Sequence, residues 1–95
     1  MVGPVDGAAR PQREPSAAWR VIDGEAVMVL PGTGKVHTLN EVGTRFWELV
    51  DGQRTLEEIA AALADEFDAP AERIGADCRT FVEELTARGL LTVAP

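Results

Sequence analysis

The sequence predicts an α+β domain in which a three-stranded antiparallel sheet precedes three helices. Short apolar runs rich in β-branched residues are separated first by Asp23-Gly24 and then by the Pro-Gly-Thr-Gly stretch 31–34. Asp-Gly is a strong hairpin signal, because both central positions of a type I′ turn need positive φ. Beyond residue 40 the apolar residues recur at helical spacing instead. We therefore predict three strands over residues 19–22, 25–30 and 35–39, followed by helices.

The first predicted helix begins after Asn40, whose side-chain oxygen can accept a hydrogen bond from the first turn. Its apolar face is formed by Val42, Phe46, Leu49 and Val50. Gly52 is expected to end it, because glycine adopts the left-handed conformation without a Cβ clash. Trp47 lies at the edge of this face, so it either staples the helix to the sheet or serves as a partly exposed anchor for a partner. Trp19 is expected at the start or the edge of the sheet.

Two further helices follow. Thr55 and Glu58 have the spacing of a capping box, which marks the start of the second helix. Pro70 fits the start of the third helix, and Gly89 fits its end. The predicted buried positions of these two helices are Leu56, Ile59, Ala60, Leu63, Phe67, Ile74, Cys78, Phe81, Val82 and Leu85. The residues after Gly89 either cover the core or add a short strand.

The domain is expected to span residues 19–95, after a flexible N-terminal arm over residues 1–18. The arm is rich in Gly and Pro and has few large apolar groups, so it cannot offset its ordering entropy. Its start lacks the pattern of a signal peptide, and no apolar run approaches a membrane span. The single cysteine, Cys78, rules out an internal disulfide and favours a reduced, cytoplasmic location.

The net charge of −7 is concentrated in one segment. Residues 55–69 carry five acidic side chains and no basic one. Such a segment repels phosphate backbones, so nucleic acid is not expected as a partner. The segment suits a basic peptide or protein, or it is simply a solvated helix face that keeps the chain in solution.

No catalytic constellation is visible in the sequence. The only serine, Ser16, lies in the predicted arm, and the only histidine is His37. Cys78 falls on a predicted buried helix face, where cysteine behaves as a small apolar group. One histidine and scattered carboxylates lack the spacing of a metal site. We therefore expect no enzymatic activity, no metal and no cofactor.

The chain resembles the PqqD-like family, whose domains are also called RiPP recognition elements. The residues that carry the resemblance are Leu39-Asn40, the stretches 46–52 (Phe-Trp-Glu-Leu-Val-Asp-Gly) and 55–59 (Thr-Leu-Glu-Glu-Ile), and the tail 81–85 (Phe-Val-Glu-Glu-Leu) with Gly89-Leu90-Leu91. The resemblance spans roughly residues 19–93. It implies a winged-helix-like fold and a role in ribosomally made peptide natural products. In that family the domain binds the leader region of a precursor peptide and presents it to a modifying enzyme, often a radical SAM enzyme, as in PQQ biosynthesis.

The third strand suits this mode of binding, because an extended peptide can add to an open sheet edge as a further strand. The predicted strand platform consists of Lys35, Val36, His37, Thr38 and Leu39, and the predicted groove wall on the third helix consists of Asp77, Cys78, Phe81 and Glu84. The alternative for Leu39, Cys78 and Phe81 is that they belong to the core. The expected partners are a leader peptide and a modifying enzyme, without nucleic acid or membrane, and the chain is expected as a monomer or weak homodimer.

Two other functions stay open at this point. A winged-helix DNA-binding regulator would read DNA with the third helix, although that helix is rich in acidic residues. An oligomerising scaffold subunit of a biosynthetic enzyme would instead use its open strand edge for self-association.

Overall fold

The computed structural model describes residues 7–94, without the side chain of Ala94. Five strands and three helices follow one another along the chain. Their bounds are β1 Arg10–Arg13, β2 Ala18–Ile22, β3 Glu25–Val29, β4 Val36–Thr38, α1 Glu41–Leu49, α2 Leu56–Glu66, α3 Ala71–Ala87 and β5 Leu91–Ala94. The α+β class is therefore confirmed, with a three-stranded sheet ahead of three helices.

The three predicted strands form one antiparallel sheet in the order β2-β3-β4. A two-residue turn joins β2 to β3, and both of its residues have positive φ, 52° at Asp23 and 82° at Gly24. Met28 lies opposite Trp19 on one side and opposite His37 on the other. One face of the sheet therefore carries these three side chains towards the helices, while the opposite face lies outside the core.

The predicted flexible arm is in part a strand. Its residues 1–6 lie outside the described residues, but Arg10–Arg13 pairs antiparallel with Leu91–Ala94. Pro11 is fully buried, and its carbonyl accepts a hydrogen bond from Gly52 N at 3.0 Å. The partners of this segment lie far away in the sequence. Local composition therefore gave no sign of the hydrogen bonds and burial that offset its ordering entropy.

The first helix begins as predicted, since Gly43 N donates to Oδ1 of Asn40 at 2.8 Å. Its end differs from the prediction. Val50, in an extended conformation, is the C-terminal cap, and its N–H donates to the carbonyls of Phe46 and Trp47. Gly52 does have a positive φ of 78°, but it shapes the link to α2 instead of ending α1.

The other helix ends follow the sequence signals. Both bonds of the capping box are present, because Thr55 N donates to the Glu58 side chain and Glu58 N donates to Oγ1 of Thr55. Pro70 is the N-terminal cap of α3, and Gly89 follows its end with a φ of 75°. Phe67, predicted on the buried face of α2, is its half-buried C-terminal cap.

Trp47 is wholly buried and joins α1 to the sheet. Its ring meets that of Trp19 edge to face, with centroids 6.0 Å apart. The guanidinium of Arg13 lies 5.0 Å from the Trp19 ring centroid and donates to the Trp47 carbonyl at 3.3 Å. Of the two possibilities for Trp47, the structure shows the staple, while Trp19 stands on edge strand β2 with 39% of its surface exposed.

A buried hydroxyl connects α1 to the ladder between β3 and β4. Leu39 N donates to the Ala26 carbonyl at 3.0 Å, continuing the ladder past Thr38. The return bond is replaced by Thr44, whose Oγ1 accepts from Ala26 N at 2.7 Å and donates to the Leu39 carbonyl at 3.3 Å. Thr44 is 4% exposed, so water has little access to these groups.

We expect Thr44→Val to destabilise the fold by about 1–3 kcal/mol, because Ala26 N–H and the Leu39 carbonyl would lose their buried partner. Urea unfolding followed by circular dichroism measures this change. Thr44→Ser keeps the hydroxyl and should lose less. Thr80→Val is the matched control, since the Thr80 hydroxyl is exposed on α3. Equal stability of Thr44→Val and Thr80→Val would contradict the bridging role.

Candidate functional site

Strand β4 forms one edge of the three-stranded sheet and leaves backbone groups pointing outward. In an antiparallel pair, residues that exchange hydrogen bonds alternate with residues that do not. Leu39 bonds to Ala26, so His37 also bonds inward, to Met28. The N–H and C=O groups of Val36 and Thr38 therefore point away from β3. Within residues 7–94 they have no hydrogen-bonding partner, so the edge offers two donors and two acceptors.

Helix α3 flanks this edge with one face. Asp77, Phe81, Glu84 and Arg88 recur every three or four residues and share that face. Ala87 and Arg88 at the end of α3 line the same cavity as Val36 and His37 of β4, so the two elements lie side by side there. Phe81 packs against Phe46, with ring centroids 5.4 Å apart. A groove thus runs between β4 and α3.

A cavity of about 270 Å³ lies between the start of β4 and the end of α3. Its lining consists of Met28, Leu30, Thr33, Lys35, Val36, His37, Ala87, Arg88 and Leu90. The residues from β3 and the segment after α3 give it an apolar floor, while Lys35 and Arg88 supply positive charge. It can therefore receive a side chain that is partly apolar and carries negative charge or a hydrogen-bond acceptor.

His37 faces this groove from β4. Burial lowers the pKa of His37 from its ordinary value of 6.5, and the nearby positive charge of Arg88 lowers it further. The carboxylate of Glu84 acts in the opposite direction. The Nε2 atom of His37 is buried and has no hydrogen-bonding partner among residues 7–94. His37 is thus held neutral at pH 7, with one polar atom unsatisfied.

The nine predicted site residues do not all reach the groove. Leu39 and Cys78 are core residues, with 5% and 3% exposure. Cys78 faces α2, where it shares a second cavity with Leu56 and Ala60. Phe81 is half-buried, so it serves both the core and the groove wall. The structure places Lys35, Val36, His37 and Thr38 on β4 or just before it, and it places Asp77 and Glu84 on the α3 face that also carries Phe81 and Arg88.

Arg88 lines the groove but is not among the nine predicted site residues. The signal was present in the sequence, because Arg88 continues the spacing that links Asp77, Phe81 and Glu84. Cys78 lies one position away from this series, which turns its side chain by about 100° around the helix. Helical spacing alone therefore places Arg88 on the groove face of α3 and Cys78 on a different face.

Residues 25–91 match the family described as coenzyme PQQ synthesis protein D (PqqD). The chain belongs to the PqqD family. It is 36% identical over 72 residues to a PqqA binding protein of Rhizobium meliloti (strain 1021), covering 76% of this chain and 71% of that protein. A PqqA binding protein of Bradyrhizobium diazoefficiens is 28% identical over 98 residues, covering 99% of this chain and 95% of that protein.

Solved structures show the same fold. TbiB1, in complex with the TbiA(beta) leader peptide, superposes with a TM-score of 0.76 at 29% identity, covering 84% of this chain and 93% of that one. The PqqD truncation of Methylobacterium extorquens PqqCD, a stand-alone RiPP recognition element, superposes with a TM-score of 0.72 at 24% identity. That match covers 86% of this chain and 87% of that one.

Across residues 7–94, no three His, Cys, Asp or Glu side chains come together in a way that could hold a metal ion. None of the helices within these residues is both long enough and apolar enough to cross a membrane.

We expect the ring of His37 to titrate below 6.5, the ordinary pKa of histidine. Because it is the only histidine, one resolved proton NMR signal reports it. Arg88→Gln should raise this pKa, and Glu84→Gln should lower it further. Since the folded pKa lies below the unfolded one, folding stability should fall as pH drops through 6.5 towards the folded pKa. A midpoint above 6.5 would contradict the burial of this ring.

Burial raises the pKa of the Cys78 thiol from 9.0 to about 11. The thiolate fraction near pH 8 should therefore be about 100-fold lower than for an exposed cysteine. Modification by an aromatic disulfide reagent, followed by absorbance, should be slow in the folded protein and fast in urea. Equal rates in the two conditions would show that Cys78 is accessible, contrary to its place beneath α2.

Proposed function

We propose that this protein is a non-catalytic adaptor that binds the leader region of a ribosomally made precursor peptide. The leader adds to β4 as a further strand, and the adaptor presents it to a modifying enzyme, such as a radical SAM enzyme. The observation that carries this proposal is the open edge of β4, where Val36 and Thr38 direct their N–H and C=O groups outward beside the α3 groove.

Similarity to named proteins supports the same function. Two relatives are PqqA binding proteins, and the similar TbiB1 structure holds a leader peptide. We therefore propose a PqqA-like precursor, or the precursor of a related natural product, as the ligand of this chain. The cytoplasmic location expected from the single cysteine belongs to the same proposal.

The side chains of the groove favour binding over catalysis. The Cys78 thiol is buried and has a raised pKa, so it is a poor nucleophile. His37 has no nucleophilic side chain bonded to it within residues 7–94. The described groove therefore holds no nucleophile paired with a base. We infer that chemistry on the peptide is performed by the partner enzyme.

The short length of β4 limits how many main-chain hydrogen bonds a bound peptide can form. Each main-chain hydrogen bond contributes about 0.5–1.5 kcal/mol net, and the four outward groups of Val36 and Thr38 permit about four such bonds. Part of this gain is offset by the ordering of an extended peptide. Useful affinity and selectivity must therefore come from side chains that enter the groove beside α3.

We expect Thr38→Pro to weaken leader binding about tenfold or more. Proline removes the outward N–H of Thr38 and obstructs the ladder, a loss of at least about 1.4 kcal/mol. The internal ladder should survive, because this N–H does not bond to β3. Isothermal calorimetry with the leader of the precursor encoded nearest to the protein measures the affinity, and amide shifts should concentrate at β4 and along the α3 groove face.

Val21→Pro is the matched control. Val21 occupies the equivalent position on the other sheet edge, since Ile22 and Glu25 flank the two-residue turn and form the first bonded pair. Its N–H therefore points away from β3, as that of Thr38 does. Val21→Pro should leave leader affinity unchanged. Normal binding by folded Thr38→Pro, or equal losses in both variants, would count against strand addition at β4.

A further inference from the structure

Positive and negative charges are separated along the groove. Lys35 and Arg88 both line the cavity beside the start of β4. Glu84 lies one helical turn before Arg88, and Asp77 lies about three turns before it, on the same face of α3. The groove is therefore positive at the end where β4 begins and negative towards the middle of α3.

The two basic side chains at the positive end are not neutralised. The ion pairs found within residues 7–94 involve Arg45 and Arg54, and none involves Lys35 or Arg88. Both residues are exposed and line the cavity, whose floor is apolar. The net charge of the chain is −7. These two unpaired cations therefore make the local electrostatic potential positive in a protein that is negative as a whole.

The register of β4 determines which peptide side chains meet these charges. Successive side chains of a strand point to opposite faces, so His37 and Leu39 share the face towards α3, and Lys35, just before β4, lines the same cavity as His37. A peptide residue placed opposite His37 or Leu39 across the new ladder points to the same face. The next peptide position on that face, beyond the residue opposite His37, thus lies at the cavity that Lys35 and Arg88 line.

We propose that Lys35 and Arg88 form a basic subsite that selects an acidic residue in the bound peptide. This rests on the proposed function and adds a sequence requirement to it. The apolar floor of Leu30 and Leu90 accepts the methylenes of that residue, and its carboxylate remains at the rim with the two cations. A basic peptide residue pairs with Glu84 on the same face. Since facing positions alternate, the acid and the base are two or four residues apart.

The charge pattern also fixes the direction of the peptide. Backbone hydrogen bonding alone permits a strand to add in either direction. With an acid at one end and a base at the other, only one direction places both residues against opposite charges. Reversal would set like charges together, which is unfavourable across a strand pair.

The test is selection from a displayed library of randomised linear peptides, performed on the wild-type protein and on Lys35→Glu/Arg88→Glu. Wild type should enrich Asp or Glu at one position, with Lys or Arg two or four residues away. The double variant should enrich Lys or Arg at the former acidic position. A selected wild-type peptide should lose about 3- to 10-fold in affinity when its acid is changed to Gln, and less at high salt.

Arg20→Glu/Arg79→Glu is the matched control, because it changes the net charge equally with residues outside the groove lining. It should retain the wild-type preference. Lys35→Glu alone, in an exposed turn, serves if the double variant does not fold, and it should weaken the acidic preference. Binders that are sensitive to Thr38→Pro yet lack an acidic preference would overturn the subsite and leave the adaptor intact. Absence of any binder sensitive to Thr38→Pro would overturn both.

Discussion

At the end of the β3–β4 ladder, the hydroxyl of Thr44 replaces a direct hydrogen bond between the two strands. It holds Ala26 N–H and the Leu39 carbonyl at once, so the first helix and the sheet share one hydrogen-bond network. This contact sets the position of α1 against the sheet and the point at which β4 leaves it. Hydrogen-bonded and non-bonded residues alternate along β4 from this junction. The N–H and C=O groups of Val36 and Thr38 therefore point outward.

Elements with local signals were predictable from the sequence. The Asp23-Gly24 turn, the Asn40 cap and the capping box of Thr55 each depend on residues only a few positions apart, and all three are present. Strand β1 pairs with β5 at the opposite end of the chain. Local composition does not reveal this pairing, so it suggested an arm. The extended cap at Val50 likewise depends on the link beyond it, which β1 helps to fix through Gly52.

The candidate site was predictable to the extent that it follows strand and helix periodicity. The order of the elements identified β4 as an edge of the sheet, and α3 was placed beside it on the resemblance to the PqqD family. The predicted groove wall included Cys78, although helical spacing places Cys78 on a different face from Asp77, Phe81 and Glu84. Which face of α3 packs against α2, and so buries Cys78, is a tertiary property that helical spacing does not give. The resemblance to the PqqD family supplied the mode of binding, and it did not supply Arg88.

The pairing of β1 with β5 bears on where the domain can be cut. Gly7 and Ala9 accept hydrogen bonds from Glu57 N and Leu56 N, so this segment completes the first turn of α2 as well as covering β5. A chain started at residue 19 would lose both functions. It would expose the backbone of β5 as an unpaired strand edge beside Leu91, which is buried in the full domain. Self-association of such a fragment through this edge would then reflect the truncation and not the native protein.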